Sequence, residues 1–152
     1  MITKNEILKA QEEWGQGVVE IGLLIENRED CEEAANKHLD ELYAYDSGIV
    51  LFKPTKAAQV QFRLDKEGAK SYFIAGDDKY PEDHGFALHP WTKVRFENKA
   101  FILEEKRALV MGNYFFTDKQ GQETKVEFTF GYFKDKIGKL KINLHHSSIP
   151  YS

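Results

Sequence analysis

The sequence predicts an α+β protein in which helices pack on one side of a curved antiparallel sheet. Apolar residues recur at three- and four-residue steps over residues 3–42, which indicates amphipathic helices. Residues 108–148 instead form three strand-length apolar runs joined by short glycine-containing turns, which is typical of an antiparallel meander. Helices followed by strands indicate the α+β class, because these turns are too short for the crossovers of a parallel sheet.

Length, composition and charge indicate one folded domain, residues 1–152. A chain of this size buries roughly two-thirds of its unfolded surface, and a hydrophobic content of 41% is sufficient for a core. The net charge of -4 argues against nucleic acid or a membrane as a partner, since both select basic surfaces. The chain shows neither a bilayer-length apolar run nor the apolar stretch of a signal peptide. We therefore expect a cytoplasmic protein.

The first predicted helix begins at Thr3, which has Glu6 at the capping-box spacing. Its apolar face is formed by Ile7, Ala10, Trp14, Val18, Ile21 and Ile25. Gly15, Gly17 and Gly22 lie inside this helix, where each costs about 1 kcal/mol relative to alanine. These glycines indicate close contact with a neighbouring element or space for a ligand, unless they are merely tolerated in a well-packed helix.

Three further elements are predicted before the meander. Asp30 stands at a second cap position, and residues 31–42 have the apolar periodicity of another helix. Residues 49–52 form a short strand that Pro54 ends or marks as an edge strand. Residues 66–75 are predicted to form a short third helix.

A long irregular segment, GDDKYPEDHGFALHP, occupies residues 76–90. Loops of this length are uncommon in compact domains and often line a functional site. Strand character resumes over residues 91–96 and 100–103, and the polar turn at residues 104–107 leads into the meander.

Side-chain alternation assigns the two faces of the last two strands. One face carries Val126, Phe128, Phe130 and Tyr132, followed by Leu140, Ile142, Leu144 and His146. This parity predicts that His146 points toward the helices, where an imidazole is either a catalytic acid or base in an apolar cavity or a hydrogen-bonded core histidine. His145 is predicted on the opposite, polar face, where an oligomer contact is the favoured interpretation.

Several aromatic residues are candidates for the wall of a ligand pocket. Trp14, Tyr43, Tyr72 and Tyr114 have suitable positions, although this spacing is more typical of a plain core. Arg95 is a candidate partner for a ligand carboxylate, with an ordinary surface position as the alternative.

The loop of residues 76–90 supplies two further ligand-binding candidates. If His84 turns inward it faces His146 across the pocket mouth, and Phe86 then covers the pocket. The acidic residues of this loop do not have the ligand spacing of a metal site, so we expect no metal. No phosphate-binding or dinucleotide-binding motif occurs, so we expect no cofactor.

The stretches EEWGQGVVEIG, PEDHGFAL, NYFFTD and TKVEFTFGYF, with the closing INLHHSSIPY, resemble the nuclear transport factor 2-like (SnoaL-like) superfamily. The ending LHHSSIP is similar to that of bacterial proteins resembling the calcium/calmodulin-dependent kinase association domain. The resemblance implies a cone-shaped, cystatin-like fold whose curved antiparallel sheet wraps around the N-terminal helices. It also implies a pocket between sheet and helices, and a homodimer or larger homo-oligomer formed through the outer sheet face.

Fold alone does not fix the function, because this superfamily contains isomerases, dehydratases, polyketide cyclases, transport adaptors and oligomerisation hubs. The leading hypothesis is a small, oligomeric, non-enzymatic protein of unknown physiological role with a pocket for a small organic ligand. One alternative is a cofactor-independent isomerase, dehydratase or cyclase in which His146 is the acid or base. The other is an oligomerisation hub.

Overall fold

Three helices pack against one curved five-stranded sheet in the computed structural model, which describes residues 1–152. The helices α1, α2 and α3 span Lys4–Leu23, Arg28–Leu42 and Lys66–Ile74, and a single 3₁₀ turn spans Phe86–Leu88. The strands β1 to β5 span Leu51–Lys53, Lys93–Leu103, Arg107–Thr117, Glu123–Lys134 and Leu140–Ser148. The predicted α+β class is confirmed. None of the three helices combines the length and the apolar character that crossing a bilayer requires.

The strand order in the sheet is β1-β5-β4-β3-β2. Strands β3 to β5 form the predicted antiparallel meander, β2 extends it by pairing with β3, and the short strand β1 pairs in parallel with β5. The two separate strands predicted at residues 91–96 and 100–103 form one continuous strand, β2, with a bulge between Asn98 and Ala100. The bulge takes up one extra residue, so the pairing with β3 continues on both sides of it.

Side-chain caps define where the first two helices begin. Thr3 and Glu6 form the predicted capping box, in which each side chain accepts a hydrogen bond from the other residue's backbone N–H. The cap of α2 is Asn27 rather than Asp30, because the Asn27 side chain accepts a hydrogen bond from the Asp30 backbone N–H at 3.1 Å. The helix therefore begins earlier than the sequence predicted.

The glycines of α1 allow neighbouring elements to approach closely. A Cβ atom at Gly17 would lie 2.1 Å from Nδ1 of His38 on α2. A Cβ atom at Gly22 would lie 2.6 Å from the backbone oxygen of Ala87 in the 3₁₀ turn. Close helix contact, the first of the alternatives drawn from the sequence, thus accounts for these two positions.

A bulge in β5 reverses the predicted faces at its C-terminal end. Tyr132 pairs with Ile142 and Gly131 pairs with Leu144, so Asn143 is an extra residue without a partner. Gly131 allows β4 and β5 to approach closely at this bulge because it has no side chain. A Cβ atom at Gly131 would lie 2.8 Å from the Cβ atom of Leu144.

Beyond the bulge, Phe130 pairs with His145 and Phe128 pairs with Ser147. Directly paired residues share a face, so both β5 residues join these phenylalanines in the core. The prediction that His146 points toward the helices is wrong, because its side chain is exposed on the outer face.

Arg63 holds the long loop of residues 76–90 against the domain. Its side chain is fully buried and forms two hydrogen bonds, of 2.7 and 2.8 Å, with the Asp83 carboxylate. Both Glu82 carboxylate oxygens accept hydrogen bonds from backbone N–H groups of residues 58–60. The two carboxylates therefore have structural partners, which gives the loop a fixed position beside α3.

Candidate functional site

The buried imidazole of His145 is the centre of a polar cluster inside the aromatic core. Its side chain lies on β5 and the residue is only 1% exposed. Its Nδ1 lies 2.8 Å from the Tyr43 hydroxyl and its Nε2 lies 3.0 Å from the Tyr114 hydroxyl. The indole Nε1–H of Trp14 donates a hydrogen bond of 2.9 Å to the same Tyr43 hydroxyl.

Hydroxyl groups continue this cluster away from the imidazole. The Tyr114 hydroxyl lies 2.5 Å from Oγ of Ser147, which in turn lies 2.5 Å from Oγ1 of Thr55. We call the connected set the His145 network, and it comprises Trp14, Tyr43, Thr55, Tyr114, His145 and Ser147.

The indole of Trp14 determines the direction of the hydrogen bonds in the His145 network. An indole N–H is only a donor, so the Tyr43 hydroxyl accepts from Trp14. Nδ1 of His145 is the acceptor within hydrogen-bond distance of the buried Tyr43 proton, so we assign that proton to a hydrogen bond with Nδ1. We therefore assign the imidazole proton to Nε2, from which it is donated to Tyr114.

The remaining hydrogen bonds of the His145 network are donated in the same direction, away from Trp14. Oγ of Ser147 is the acceptor within hydrogen-bond distance of the buried Tyr114 proton, so we assign that proton to a hydrogen bond with Ser147. Ser147 then donates to Oγ1 of Thr55. The hydroxyl proton of Thr55 consequently has no acceptor within the network and is available to a bound molecule.

A small cavity adjoins the end of the His145 network. This inner cavity has a volume of about 10 Å³ and is lined by Trp14, Phe52, Pro54, Thr55, Tyr72, Phe73, Phe86, Tyr114, His145 and Ser147. Roughly this volume accommodates a single water, whereas pockets for drug-sized ligands enclose about 300–1,000 Å³. The inner cavity is therefore far too small for a drug-sized ligand. Its lining combines aromatic rings with the hydroxyl groups of Thr55, Tyr72, Tyr114 and Ser147.

A wider and more polar space lies outside the inner cavity. This vestibule has a volume of about 300 Å³ and is lined by Lys56, Tyr72, Glu82, Asp83, His84, Gly85, Phe86, Leu88, His89 and Trp91. Tyr72 and Phe86 line both spaces, and their rings stack with centroids 5.5 Å apart. These two rings thus form the boundary between the inner cavity and the vestibule.

Burial keeps the network uncharged. Desolvation lowers the pKa of His145 well below its ordinary value, and the neighbouring His38 and His146 lower it further. Desolvation also raises the pKa of the Tyr43 and Tyr114 hydroxyls. The imidazole is therefore neutral and the phenols are protonated at physiological pH, as the hydrogen-bond assignment requires.

The structure brings some of the predicted site residues together and separates others. Trp14, Tyr72, Phe86 and Tyr114 line the inner cavity, and Tyr43 lies behind it as the partner of His145. Their part in binding a ligand stays a prediction.

The predicted positions of three other residues need correction. His84 lines the vestibule and not the inner cavity, so it cannot face His146. His146 is exposed on the outer face because of the bulge in β5. Arg95 binds the Glu97 and Glu123 carboxylates and covers the Phe115 ring at 3.9 Å, away from the inner cavity.

Sequence alternation missed three residues of the network, which are Thr55, His145 and Ser147. An unbroken period of two placed His145 on the outer face, and the bulge moves it to the core. Gly131 was the available signal, because an isolated glycine inside a strand often marks a bulge.

The two fully buried histidines predict a loss of stability in mild acid. Desolvation lowers the pKa of His38 to about 3 and that of His145 also well below the ordinary value of 6.5. In the unfolded chain both rings bind a proton below about pH 6.5, whereas the folded protein does not, so stability is lost as the pH falls. We expect the free energy of unfolding to drop by about 1 kcal/mol per histidine between pH 7 and about pH 5.5.

Urea unfolding at the two pH values measures this effect. Carboxyl groups contribute little there because they titrate at lower pH. The variant His38→Gln should lose about half of the pH-dependent change, whatever its stability at neutral pH. An equal change in this variant and in the original chain would contradict the assignment of His38 as a buried neutral ring.

No three or more side chains of His, Cys, Asp or Glu are arranged so that they could hold a metal ion. In particular, the Asp83 and Glu82 carboxylates of the loop are bound to Arg63 and to backbone N–H groups.

The fold defines the class of this protein as nuclear transport factor 2-like. A protein of that family from Streptomyces avermitilis, named a dehydratase, superposes with a TM-score of 0.60 at 11% identity, over 97% of this chain and 96% of that chain. A Xanthomonas campestris protein named a calcium/calmodulin-dependent protein kinase II association domain gives a TM-score of 0.65 at 24% identity, over 99% and 89%. At these identities the similarity shows the fold alone, and it confirms the resemblance noted in the sequence.

A family model described as metal-independent carbonic anhydrase matches residues 5–149. A metal-independent carbonic anhydrase from Nostoc sp. is 43% identical, over 99% of this chain and 75% of that protein. The crystal structure of a cyanobacterial iota-carbonic anhydrase in complex with bicarbonate superposes with a TM-score of 0.95 at 42% identity, over 99% of this chain and 94% of that chain. The chain belongs to the metal-independent carbonic anhydrase family.

Proposed function

We propose that this protein catalyses the reversible hydration of carbon dioxide to bicarbonate, with the inner cavity as the active site and without a metal ion. The observation that carries the proposal is the neutral His145 network, which ends in a hydroxyl donor beside a cavity of about 10 Å³. The similarity to a bicarbonate-bound iota-carbonic anhydrase over 99% of this chain supports the same substrate here.

The apolar rings and the hydroxyl groups that line the inner cavity match the two states of the substrate. The phenyl rings of Phe52, Phe73 and Phe86 offer an apolar surface to carbon dioxide, which carries no net dipole. Negative charge develops on its oxygens as water attacks the carbon, and the hydroxyl groups of Thr55 and Tyr72 donate hydrogen bonds to that charge. The same donors hold bicarbonate in the reverse reaction.

His145 acts in this mechanism as a positioning residue. Both of its ring nitrogens are occupied by hydrogen bonds with Tyr43 and Tyr114, and burial lowers its pKa far below the physiological range. Its two hydrogen bonds connect the Tyr43 hydroxyl, which accepts from Trp14, with the Tyr114 hydroxyl, so that the hydroxyl groups beyond it donate toward the cavity. The network is then preorganised, so little rearrangement is needed when the carbon–oxygen bond forms.

Thr55→Val tests the donor at the end of the network. Valine keeps the shape of threonine and removes the hydroxyl, so we expect kcat/KM for carbon dioxide hydration to fall about a hundredfold. Stopped-flow measurement with a pH indicator gives this rate. Thr124→Val on the exposed surface of β4 is the matched control and should retain the original rate.

The proposal also requires that the activity survive metal removal. The chain dialysed against a strong chelator should keep its carbon dioxide hydration rate. If the untreated protein fails to accelerate hydration above the buffer rate, the proposed function is wrong. If the chelator abolishes the rate, or if Thr55→Val leaves it unchanged, the proposed mechanism is wrong.

The small inner cavity argues against the isomerase, dehydratase or cyclase considered from the sequence, because polyketide-like substrates need far more space than about 10 Å³. Oligomerisation through the outer sheet face stays a prediction. Light scattering on a variant with charges introduced at Ile102 and Met111, two exposed apolar residues of the sheet, would test it.

A further inference from the structure

The proposed reaction releases one proton for each carbon dioxide hydrated, and that proton must reach the solvent before the next turnover. A carbon–oxygen bond forms while an O–H bond of the attacking water breaks, and bicarbonate leaves without that proton. Which group receives this proton is a question that rests on the proposed function.

The interior of the site is unsuited to receive the proton. His145 has both ring nitrogens in hydrogen bonds, and the network behind it ends at Trp14, whose indole N–H has no acceptor capacity. The core around the network is formed by aromatic rings such as Phe52 and Phe130, which offer no base. The proton must therefore leave toward the vestibule, past the shared boundary formed by Tyr72 and Phe86.

Most charged groups that face the vestibule are unavailable as proton acceptors. Asp83 is bound to Arg63 and to the Ser71 hydroxyl. Glu82 accepts backbone N–H groups and lies 3.8 Å from the Arg63 guanidinium. Lys56 carries a positive charge at neutral pH and so has no lone pair to offer.

His84 and His89 are the remaining groups. Both line the vestibule, both are exposed, and neither side chain forms a hydrogen bond to another protein group. His89 is held in place because its ring stacks on Trp91 with centroids 3.9 Å apart and an interplanar angle of 9°. An imidazole is the side chain best suited to take up and release protons near neutral pH.

We propose that His84 and His89 accept the proton released in the inner cavity, through water in the vestibule, and deliver it to buffer in the surrounding solvent. The proton from the attacking water adds to the free lone pair of a ring nitrogen and gives an imidazolium ion. A buffer base removes it and restores the neutral ring. In the dehydration direction the same rings supply the proton that bicarbonate needs.

The double variant His84→Gln/His89→Gln tests this proposal. At low buffer concentration we expect kcat to fall about tenfold, because each turnover releases one proton and the double variant lacks the two free imidazoles that line the vestibule. Each single variant should show a smaller loss of kcat. Added imidazole should restore kcat in the double variant, because a dissolved base then accepts the proton in place of the missing rings.

His146→Gln is the matched control, since it removes an exposed imidazole that lines neither space. It should have the original kcat at every buffer concentration. An unchanged kcat in the double variant at low buffer, or no rescue by imidazole, would each overturn the proposal while leaving the carbonic anhydrase activity intact. Absence of activity in the original chain would instead overturn the proposed function, and this inference with it.

Discussion

Replacement of His145 by glutamine should lower kcat/KM for carbon dioxide hydration about a thousandfold. The imidazole joins two hydroxyl groups through nitrogens 2.8 and 3.0 Å away, with one nitrogen accepting and the other donating. A glutamine amide has a donor and an acceptor but not this rigid spacing. The hydroxyl protons of Tyr114, Ser147 and Thr55 then lose the common direction on which charge stabilisation in the cavity depends.

The adjacent histidine provides the control for this experiment. His146→Gln changes the same residue type one position along β5, on the outer face, and should leave kcat/KM within about twofold of the original value. Stopped-flow rates should be combined with thermal unfolding, so that a loss of activity is not mistaken for a loss of folded protein. The opposite result, with His146 essential and His145 dispensable, would place the active site on the outer face and contradict the proposed mechanism.

The largest loss of stability is expected from Arg63→Met. The Asp83 carboxylate is buried, and this replacement removes the two hydrogen bonds from the guanidinium that compensate its charge. Removing one partner of a buried ion pair typically costs about 3–5 kcal/mol, because the remaining charge has no counterpart. Urea unfolding at neutral pH measures the change in the free energy of unfolding.

Arg95→Met is the matched control for Arg63→Met. Arg95 also binds two carboxylates, but these pairs are solvent-exposed, and exposed ion pairs contribute little to stability. Its loss should be much smaller than that of Arg63→Met. If the two variants lose similar amounts, burial does not determine the strength of these pairs and the account of the loop is wrong. The double variant Arg63→Met/Asp83→Leu should recover part of the loss, since no buried charge is left unpaired.

Local patterns in the sequence were sufficient for the elements of this fold. Three- and four-residue periodicity predicted α1 and α2, the short glycine-containing turns predicted the order of β3, β4 and β5, and the Thr3–Glu6 spacing predicted a capping box. Each of these signals depends on residues close together in the chain, which is why they can be recognised without a structure. Four of the predicted pocket residues, Trp14, Tyr72, Phe86 and Tyr114, also lie around the inner cavity.

The candidate site itself could not be assembled from such signals. Tyr43 and His145 are 102 positions apart, and Tyr114 and Ser147 are 33 apart, so only packing brings their side chains within hydrogen-bond distance. The sequence also could not show that Arg95 would be bound by surface carboxylates. The register between neighbouring strands decides which carboxylates lie beside Arg95, and the sequence of one strand does not specify that register.

The sequence by itself therefore determined the α+β class, the order of the elements and the aromatic character of the core, because helical and strand periods are local properties of the chain. Only the tertiary structure decided which of two adjacent histidines enters that core. One extra residue at Asn143, opposite Gly131, shifts the alternation by one position and turns His145 inward and His146 outward. The physical reason is that a strand's side-chain period is two, so a single unpaired residue exchanges its faces.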